Sequence, residues 1–229
     1  MDKNTLSLAD FILGIMVGIA TNIFSWWILF HKIVPNVRFS TDISKTPIAP
    51  SNDDASGFRY RFKFENSGSR AVIDLEIMAR IRIRGLGPYK RTNWQVIQVP
   101  LSADGATSRH LPRLKPTRTG KHVRHVLRLF VNAAPDRFDR PVFSELVRRK
   151  AIARTLELED LLTAGAESNL EIEAFGFDEF SGARKLFLSK RYIVTDIKSG
   201  PFDQRGLTVR LTPTPAAPTE IPSCAEDED

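Results

Sequence analysis

The sequence feature that most constrains this chain is a run of twenty residues without a charge near its N-terminus, from Phe11 to Phe30. As an α-helix this run would be about 30 Å long, which matches the hydrocarbon core of a bilayer. Trp26 and Trp27 lie where a membrane-spanning helix carries interfacial aromatic residues. The run is also longer than the apolar part of a secretory signal peptide. It therefore predicts a transmembrane helix over residues 11–31, preceded by an N-terminal segment of residues 1–10.

The charges that flank this run predict its orientation. Only Lys3 precedes it, whereas Lys32, Arg38 and Lys45 follow it. Positively charged flanks stay in the cytoplasm, so we expect the N-terminus outside and the C-terminal domain inside, in the cell inner (plasma) membrane. The only cysteine is Cys224, which excludes an intramolecular disulfide and agrees with a reducing compartment.

After the helix, apolar and polar residues alternate as they do in β-strands. Residues 58–66 read FRYRFKFEN, which places aromatic residues on one face and charged residues on the other. We expect the aromatic face in a core and the charged face in solvent. Helices are predicted over residues 143–153 and 159–164, and residues 102–120 read as a polar, basic loop. Further strands are predicted over residues 37–43, 73–84, 94–101, 122–131, 170–175, 185–195 and 206–211.

About eight strands separated by turns predict a mainly β domain, an immunoglobulin-like β-sandwich, after one transmembrane α-helix. The predicted organisation is a juxtamembrane segment with the first strand at residues 32–57, the sandwich at 58–211 and a disordered acidic tail at 212–229. The tail holds five acidic residues and no Lys or Arg, so leaving it out raises the net charge from +6 to +11. Such an excess of positive charge favours contact with anionic surfaces.

Three stretches of the sequence resemble the cytoplasmic domain of inward-rectifier potassium channels. VRFS at 37–40 looks like the segment where the channel chain leaves its second membrane helix. Residues 58–77 resemble a channel strand that ends in Asn-x-Arg, with Asn66 and Arg70 two residues further apart. Residues 158–202 match best, at Asp160, Leu161, Leu162, Gly176, Asp178, Tyr192, Asp196, Ile197, Gly200 and Phe202. The resemblance implies an oligomeric domain, tetrameric in the channels, with an anionic-lipid contact where helix and domain meet.

This sequence departs from the channels in the part that conducts ions. The channels have two membrane helices around a pore helix and a Gly-Tyr-Gly filter. Here there is one apolar run and no such motif, so a filter of backbone carbonyls cannot come from these residues. The resemblance therefore concerns the fold more than the activity.

Enzymatic and metal-binding patterns are missing from the sequence. It contains no phosphate-binding glycine loop, no His-Glu-x-x-His and no nucleophile elbow. On an alternating strand His122 and His125 point to opposite faces, which argues against a shared metal ion. Asp178, Glu179 and Ser181 read as turn residues. We therefore expect a protein that is not an enzyme and that has no catalytic residues, metal site or cofactor.

Two sets of residues are candidates for binding. Small and polar residues at helical spacing favour helix–helix contact: Gly14, Gly18, Thr21, Asn22 and Ser25. Chance placement is the competing interpretation. Basic residues after the helix and in the predicted loop suit an anionic lipid or another anion: Lys32, Arg38, Arg109, Arg113, Lys115, Arg118, Lys121 and Arg124. For these residues the competing interpretation is a solvated surface.

The predicted function is that of a single-pass membrane protein whose cytoplasmic domain is an oligomeric interaction or ligand-sensing module. The expected partners are the lipid membrane, further copies of the chain, and an anionic lipid or small anionic ligand, with no nucleic acid. The alternative is a homo-oligomeric, pore-forming subunit built from the single helices, with Asn22 facing the shared axis.

Overall fold

The computed structural model describes residues 3–28, 34–48, 57–86, 93–117, 124–204 and 206–211. A long helix, α1 (Lys3–Trp27), precedes a β-rich domain that contains two short helices, α2 (Glu145–Ile152) and α3 (Leu158–Leu162). The strands in the described ranges are β1 (Val37–Phe39), β2 (Ile43–Pro47), β3 (Phe58–Asn66), β4 (Val72–Arg84), β5 (Trp94–Val99), β6 (Ser108–Leu114), β7 (His125–Leu129), β8 (Glu167–Asp178), β9 (Arg184–Leu188) and β10 (Ile197–Ser199).

Helix α1 has the length and composition of a membrane-spanning helix. Its window Leu8–Trp27 has a mean hydropathy of 1.8 and is not buried against the domain. Among the described residues it is the one helix that is long and apolar enough to cross a bilayer. From Leu8 to Trp27 the side chains of α1 are exposed and do not pack against the domain. An apolar helix without a buried face is suited to a lipid environment rather than to a protein core. The helix begins earlier than predicted because no Pro or Gly interrupts residues 3–10.

The strands form two sheets. The first has the order β1-β3-β2-β10, with β7 also pairing with β3, and the second has the order β5-β4-β8-β9, with β6 also pairing with β4. The pairs are antiparallel except for β2 and β10, which run parallel. The expectation of a mainly β domain after one apolar helix is therefore confirmed.

The core is made by the apolar faces of β3, β4 and β8. On β3, Tyr60, Phe62 and Phe64 are buried, as the alternation predicts. The second sheet contributes side chains that are 0% exposed: Leu75, Ile77, Ala79, Ile81, Ile83, Leu170, Ile172 and Ala174. Period-two alternation thus places one face of each strand against the same apolar core.

The charged face of β3 is not as solvated as predicted. Lys63 is only 5% exposed, and its Nζ donates hydrogen bonds to the carbonyl oxygens of Asp203 and Gly206, each at 2.8 Å. The prediction of a fully solvated face was wrong at this position, because the segment around Gly206 covers that part of the first sheet. The long aliphatic stem of lysine permits such burial when the ammonium group reaches acceptors.

Both short helices are confirmed near their predicted positions. Ser144 caps α2, with its Oγ accepting a hydrogen bond from the Val147 backbone N–H at 3.4 Å. Helix α2 buries Val147 and Ala151. Helix α3 buries Leu158, Leu161 and Leu162 in the common core, so it closes one side of the space between the sheets.

Three local predictions were wrong. The predicted loop at 102–120 contains β6, which pairs with β4; its side chains are mostly polar because it lies at an edge of the second sheet. The predicted strand at 185–195 ends at Leu188 in β9, and Tyr192 makes only an isolated bridge to Leu170. Residues 206–211 form no strand, since Val209 makes only an isolated bridge to Phe202. The acidic tail and His122 lie outside the described residues.

Candidate anion-binding site at the helix-entry end

The side chain of Asn66 joins the chain arriving from α1 to both sheets. It is 0% exposed, and its Oδ1 accepts hydrogen bonds from the backbone N–H groups of Asn36 at 3.1 Å and Gly68 at 3.0 Å. Its Nδ2 donates to the carbonyl oxygens of Arg70 at 2.7 Å and Leu114 at 3.2 Å. One buried amide therefore uses its donor and acceptor sides to bind four backbone groups in three segments of the chain.

The turn after β3 packs directly on the segment that precedes β1. Ser67 N–H donates to Asn36 O at 2.8 Å, and Ser69 N–H donates to Val34 O at 3.3 Å. A Cβ atom on Gly68 would lie 2.4 Å from Asn36 N and Val34 O, so only glycine permits this approach. We call the group formed by residues 34–38, 65–70, 113–117 and 178–182, with Arg124 paired to Glu65, the helix-entry end of the domain.

The β8–β9 turn belongs to the helix-entry end and is organised by Asp178. Its Oδ1 accepts from the Phe180 backbone N–H at 3.1 Å and its Oδ2 from Ser181 Oγ at 2.9 Å. Arg70 Nη1 lies 3.4 Å from Oδ2. Burial alone raises the pKa of Asp178, but these hydrogen bonds and the Arg70 charge outweigh it and leave the pKa below its usual value. The turn role predicted for Asp178 is what the structure shows.

An exposed aromatic ring stands at the tip of this turn. Phe180 is 71% exposed, and the Arg70 guanidinium carbon lies 4.2 Å from its ring centroid. Phe180 therefore leaves most of an apolar ring in contact with solvent, and the nearby cation is attracted to the face of that ring. The predicted basic set missed Arg70, although the Asn-x-Arg resemblance had pointed to it. No sequence signal distinguished Phe180 from a core residue.

The structure brings four of the predicted basic residues to this end. Lys115 is exposed directly after β6, and Arg113 forms an ion pair with Glu179. Arg38 lies opposite Glu65 in the pairing of β1 with β3, and Arg124 Nε lies 2.8 Å from Glu65 Oε2. The carboxylate of Glu65 thus partly neutralises the positive charge of Arg38 and Arg124.

The other predicted basic residues do not join this group in the described structure. Arg109 lies four residues from Arg113 along β6, about 13 Å away at the usual strand rise, and pairs in register with Ile77. Lys32, Arg118 and Lys121 lie outside the described residues. The basic residues that the structure brings to this end are therefore Arg38, Arg70, Arg113, Lys115 and Arg124, and their contact with an anion stays a prediction.

The predicted helix–helix stripe lies on the exposed surface of α1. An added Cβ at Gly14 or Gly18 would meet nothing within 4 Å, so both positions are open to a neighbouring helix. Thr21 Oγ1 donates to the Val17 carbonyl at 2.8 Å and is satisfied within its own helix. Asn22 and Ser25 are exposed. This helix–helix contact stays a prediction.

A second polar cluster joins α3 to the first sheet. Lys45 Nζ lies 2.9 Å from Glu157 Oε2 and 2.6 Å from Glu159 Oε1, and the Tyr60 hydroxyl donates to Glu159 Oε2 at 2.5 Å. Burial lowers the pKa of Lys45, but the two carboxylates outweigh this effect and raise it. Burial and the bond to Glu159 raise the pKa of Tyr60. Because the charged and hydroxyl groups face one another, this cluster fastens α3 rather than presenting a reactive group.

The described residues hold no group of three or more His, Cys, Asp and Glu side chains arranged for a metal ion. His125 stacks on the ring of Phe64 at a centroid distance of 5.4 Å, and burial lowers its pKa. His110 Nε2 lies 3.5 Å from Asp74 Oδ1 on the other sheet's edge. These histidines therefore do not share a site.

Comparison with known proteins adds little to this description. No family model matches the chain, and no curated protein matches it. Among solved structures, the sporulation control protein Spo0M from Bacillus subtilis is similar, with 10% sequence identity, a TM-score of 0.31, and coverage of 70% of this chain. The chain spans about half the length of that protein, 49%. A similarity of this size carries no conclusion about fold or function.

Proposed function

We propose that this chain is a non-enzymatic, single-pass membrane protein whose domain is an oligomeric interaction or ligand-sensing module on the cytoplasmic side of the inner membrane. In this proposal the domain is an immunoglobulin-like sandwich related to the cytoplasmic domain of inward-rectifier channels, and its helix-entry end contacts anionic lipid. The observation that carries the proposal is the Asn66 hub, which ties the chain from α1 to both sheets beside a group of basic residues.

The electrostatics of the helix-entry end support a lipid contact. Arg38 and Lys115 are exposed and form no ion pair with another described residue, so their charges are available to an anion. Each cation close to an anionic leaflet contributes about 1 kcal/mol. Arginine also binds phosphate with two parallel hydrogen bonds. Phe180 would place an aromatic ring at the depth of the headgroups.

The same geometry explains how such a contact could be sensed. The Asn66 hydrogen bonds fix the position of residues 34–36 relative to β3 and β6. A displacement of residues 34–36 would therefore be passed to the first sheet by the Asn66 side chain and the backbone bonds of Ser67 and Ser69, and to β6 by Asn66. The pore-forming alternative depends on Asn22 facing a shared axis, and no contact in the described structure favours it.

The test uses an environment-sensitive fluorophore at the tip of the turn. We expect a Phe180→Cys label, in a Cys224→Ser background, to shift to a less polar emission when nanodiscs of phosphatidylcholine also contain phosphatidylserine. Arg113→Glu/Lys115→Glu should abolish this shift, because it reverses two charges at the helix-entry end. High salt should weaken the shift by screening.

The matched control is Arg109→Glu/Arg154→Glu, which changes the net charge equally at exposed positions outside the helix-entry end. This variant should keep the shift. A label that reports the same polarity with and without phosphatidylserine in the otherwise unaltered protein would contradict the lipid contact.

A further inference from the structure

The outward face of the second sheet carries two adjacent columns of opposite charge. On this face β4 contributes Arg80, Arg82 and Arg84, and β8 contributes Glu167, Glu171 and Glu173. The register places Arg80 opposite Glu171 and Arg84 opposite Glu167, whereas Arg82 lies opposite Asn169 and Glu173 opposite Met78. The closest ion pairs are therefore diagonal. Arg80 Nη1 lies 2.8 Å from Glu173 Oε2, and Arg82 Nη2 lies 2.8 Å from Glu171 Oε2. Glu171 and Glu173 are only 5% and 7% exposed. The columns are therefore ordered within one copy rather than being loosely solvated.

Apolar side chains flank the charged columns on both sides. On β5, Trp94 is 43% exposed and Val96 is 55% exposed. On β9, Leu186 is 59% exposed and Leu188 is 52% exposed. Their register places all four on the same face as the charges. Leucines and a tryptophan exposed on one sheet face are typical of a surface that another protein covers.

Two depressions open on this face. One, of about 470 Å³, is lined by Arg80, Val96 and Gln98 together with Ile97, Arg137 and Arg140. The other, of about 400 Å³, is lined by Glu173, Phe175, Arg184, Lys185 and Leu186. One depression lies on the β5 side and the other on the β9 side. The face can therefore receive side chains of a partner at both flanks.

We propose that this outer face binds the same face of a second copy of the chain. The charge pattern favours this occupant over an unrelated protein, because the face is complementary to itself. A twofold axis parallel to the strands, midway between β4 and β8, places the arginine column of one copy over the glutamate column of the other. The same axis places the β5 flank over the β9 flank. An axis across the strands would place arginine over arginine, so the pattern selects the first arrangement.

The dimensions of the face agree with a specific dimer. Four strands at about 4.8 Å spacing and about ten residues of length at about 3.3 Å each give about 600 Å² per copy. The two copies together would bury about 1,200 Å², which reaches the range of specific interfaces. The side chains of Arg80 and Arg82 are 29% and 34% exposed, so they would face the glutamate column of the other copy, and this attraction offsets part of the cost of removing the charges from water.

This inference names the contact through which the proposed oligomeric module assembles, and its test does not depend on lipid composition. The measurement is the mass of the full chain in detergent by light scattering. We expect the unaltered chain to be at least dimeric and Leu186→Glu/Leu188→Glu to lower the mass, since glutamates would be buried at the flank. The matched control is Val126→Glu/Leu146→Glu, at residues 46% and 62% exposed on other surfaces, and it should leave the mass unchanged.

A charge-reversal pair tests the symmetry. Arg80→Glu/Arg82→Glu and Glu171→Arg/Glu173→Arg should each fail to associate alone, whereas a mixture of the two should form a heterodimer. If a charge variant does not fold, the Leu186→Glu/Leu188→Glu variant still tests the inference, because both leucines are exposed and their replacement leaves the core unchanged.

A monomeric unaltered chain, an unchanged mass for Leu186→Glu/Leu188→Glu, or an equal loss in the control would overturn this inference. Association lost in Gly18→Leu and retained in Leu186→Glu/Leu188→Glu would assign the contact to α1 and also overturn it. A stable dimer with no lipid-dependent shift would refute only the proposed lipid contact.

Discussion

At the scale of single residues, burial and hydrogen bonding decide what each side chain of the domain does. Asn66 and Gly68 fix the chain after α1 through one amide and one close backbone approach. Lys63 shows that a charged residue on an alternating strand can be drawn into the structure when carbonyl oxygens lie within reach. Neighbouring positions on β3 therefore have different energetic roles even though their sequence pattern is regular.

The two faces of β3 give a direct test at this scale. Phe62 is 0% exposed, so Phe62→Ala should lower the free energy of unfolding by about 3–5 kcal/mol through lost burial and a cavity. Arg61→Ala is the control. Burial and the nearby Arg59 and Arg128 charges lower the pKa of Arg61, so its removal should change stability by less than about 0.5 kcal/mol. Similar losses for both variants in a chemical denaturation experiment would contradict the assignment of the faces.

At the scale of elements, strands with an apolar face were predictable and edge elements were not. β3 and β4 alternate cleanly because one face of each packs on the core. β6 was missed because most of its side chains are exposed at a sheet edge, so its sequence has no apolar period. The Asn66 hub could not be predicted either. Its partners, Asn36 and Leu114, are distant in the sequence and are brought together only by the pairing of the strands.

The contact between α3 and the first sheet predicts a pH dependence. The pKa values of Lys45 and Tyr60 are both raised in the folded protein. Their stabilising contribution is therefore fully present below their unfolded pKa values, about 10.4 and about 10, and is lost as the pH rises above them. The urea midpoint should therefore stay constant up to about pH 9 and fall from about pH 10 upward. It should fall less steeply in Lys45→Met/Tyr60→Phe.

Lys198→Met is the control for this pH series, because Lys198 is in register with Ser44 and its side chain therefore lies on the opposite face of the first sheet from Lys45. The fall of its urea midpoint at alkaline pH should match that of the unaltered protein. If the midpoint falls equally steeply in Lys45→Met/Tyr60→Phe, the pKa values of this cluster do not change on unfolding and the prediction is wrong.

At the scale of the whole molecule, we propose a helix that crosses the membrane once and a basic domain that faces the cytoplasmic leaflet. The apolar part of α1, Leu8–Trp27, is not buried against the domain, and positive charge is concentrated after it. The helix-entry end and the outer face of the second sheet are separate surfaces of one domain. In the two proposals one surface contacts lipid and the other contacts a second copy, so membrane contact and assembly would not compete.

The most direct test of this account is the side of the membrane on which the domain lies. Ala103 is exposed, so a cysteine placed there in a Cys224→Ser background should react readily with a thiol reagent that reaches it. The account predicts no reaction with a membrane-impermeant maleimide in intact cells and full reaction after permeabilisation. Ready labelling of intact cells would place the domain outside and contradict the account.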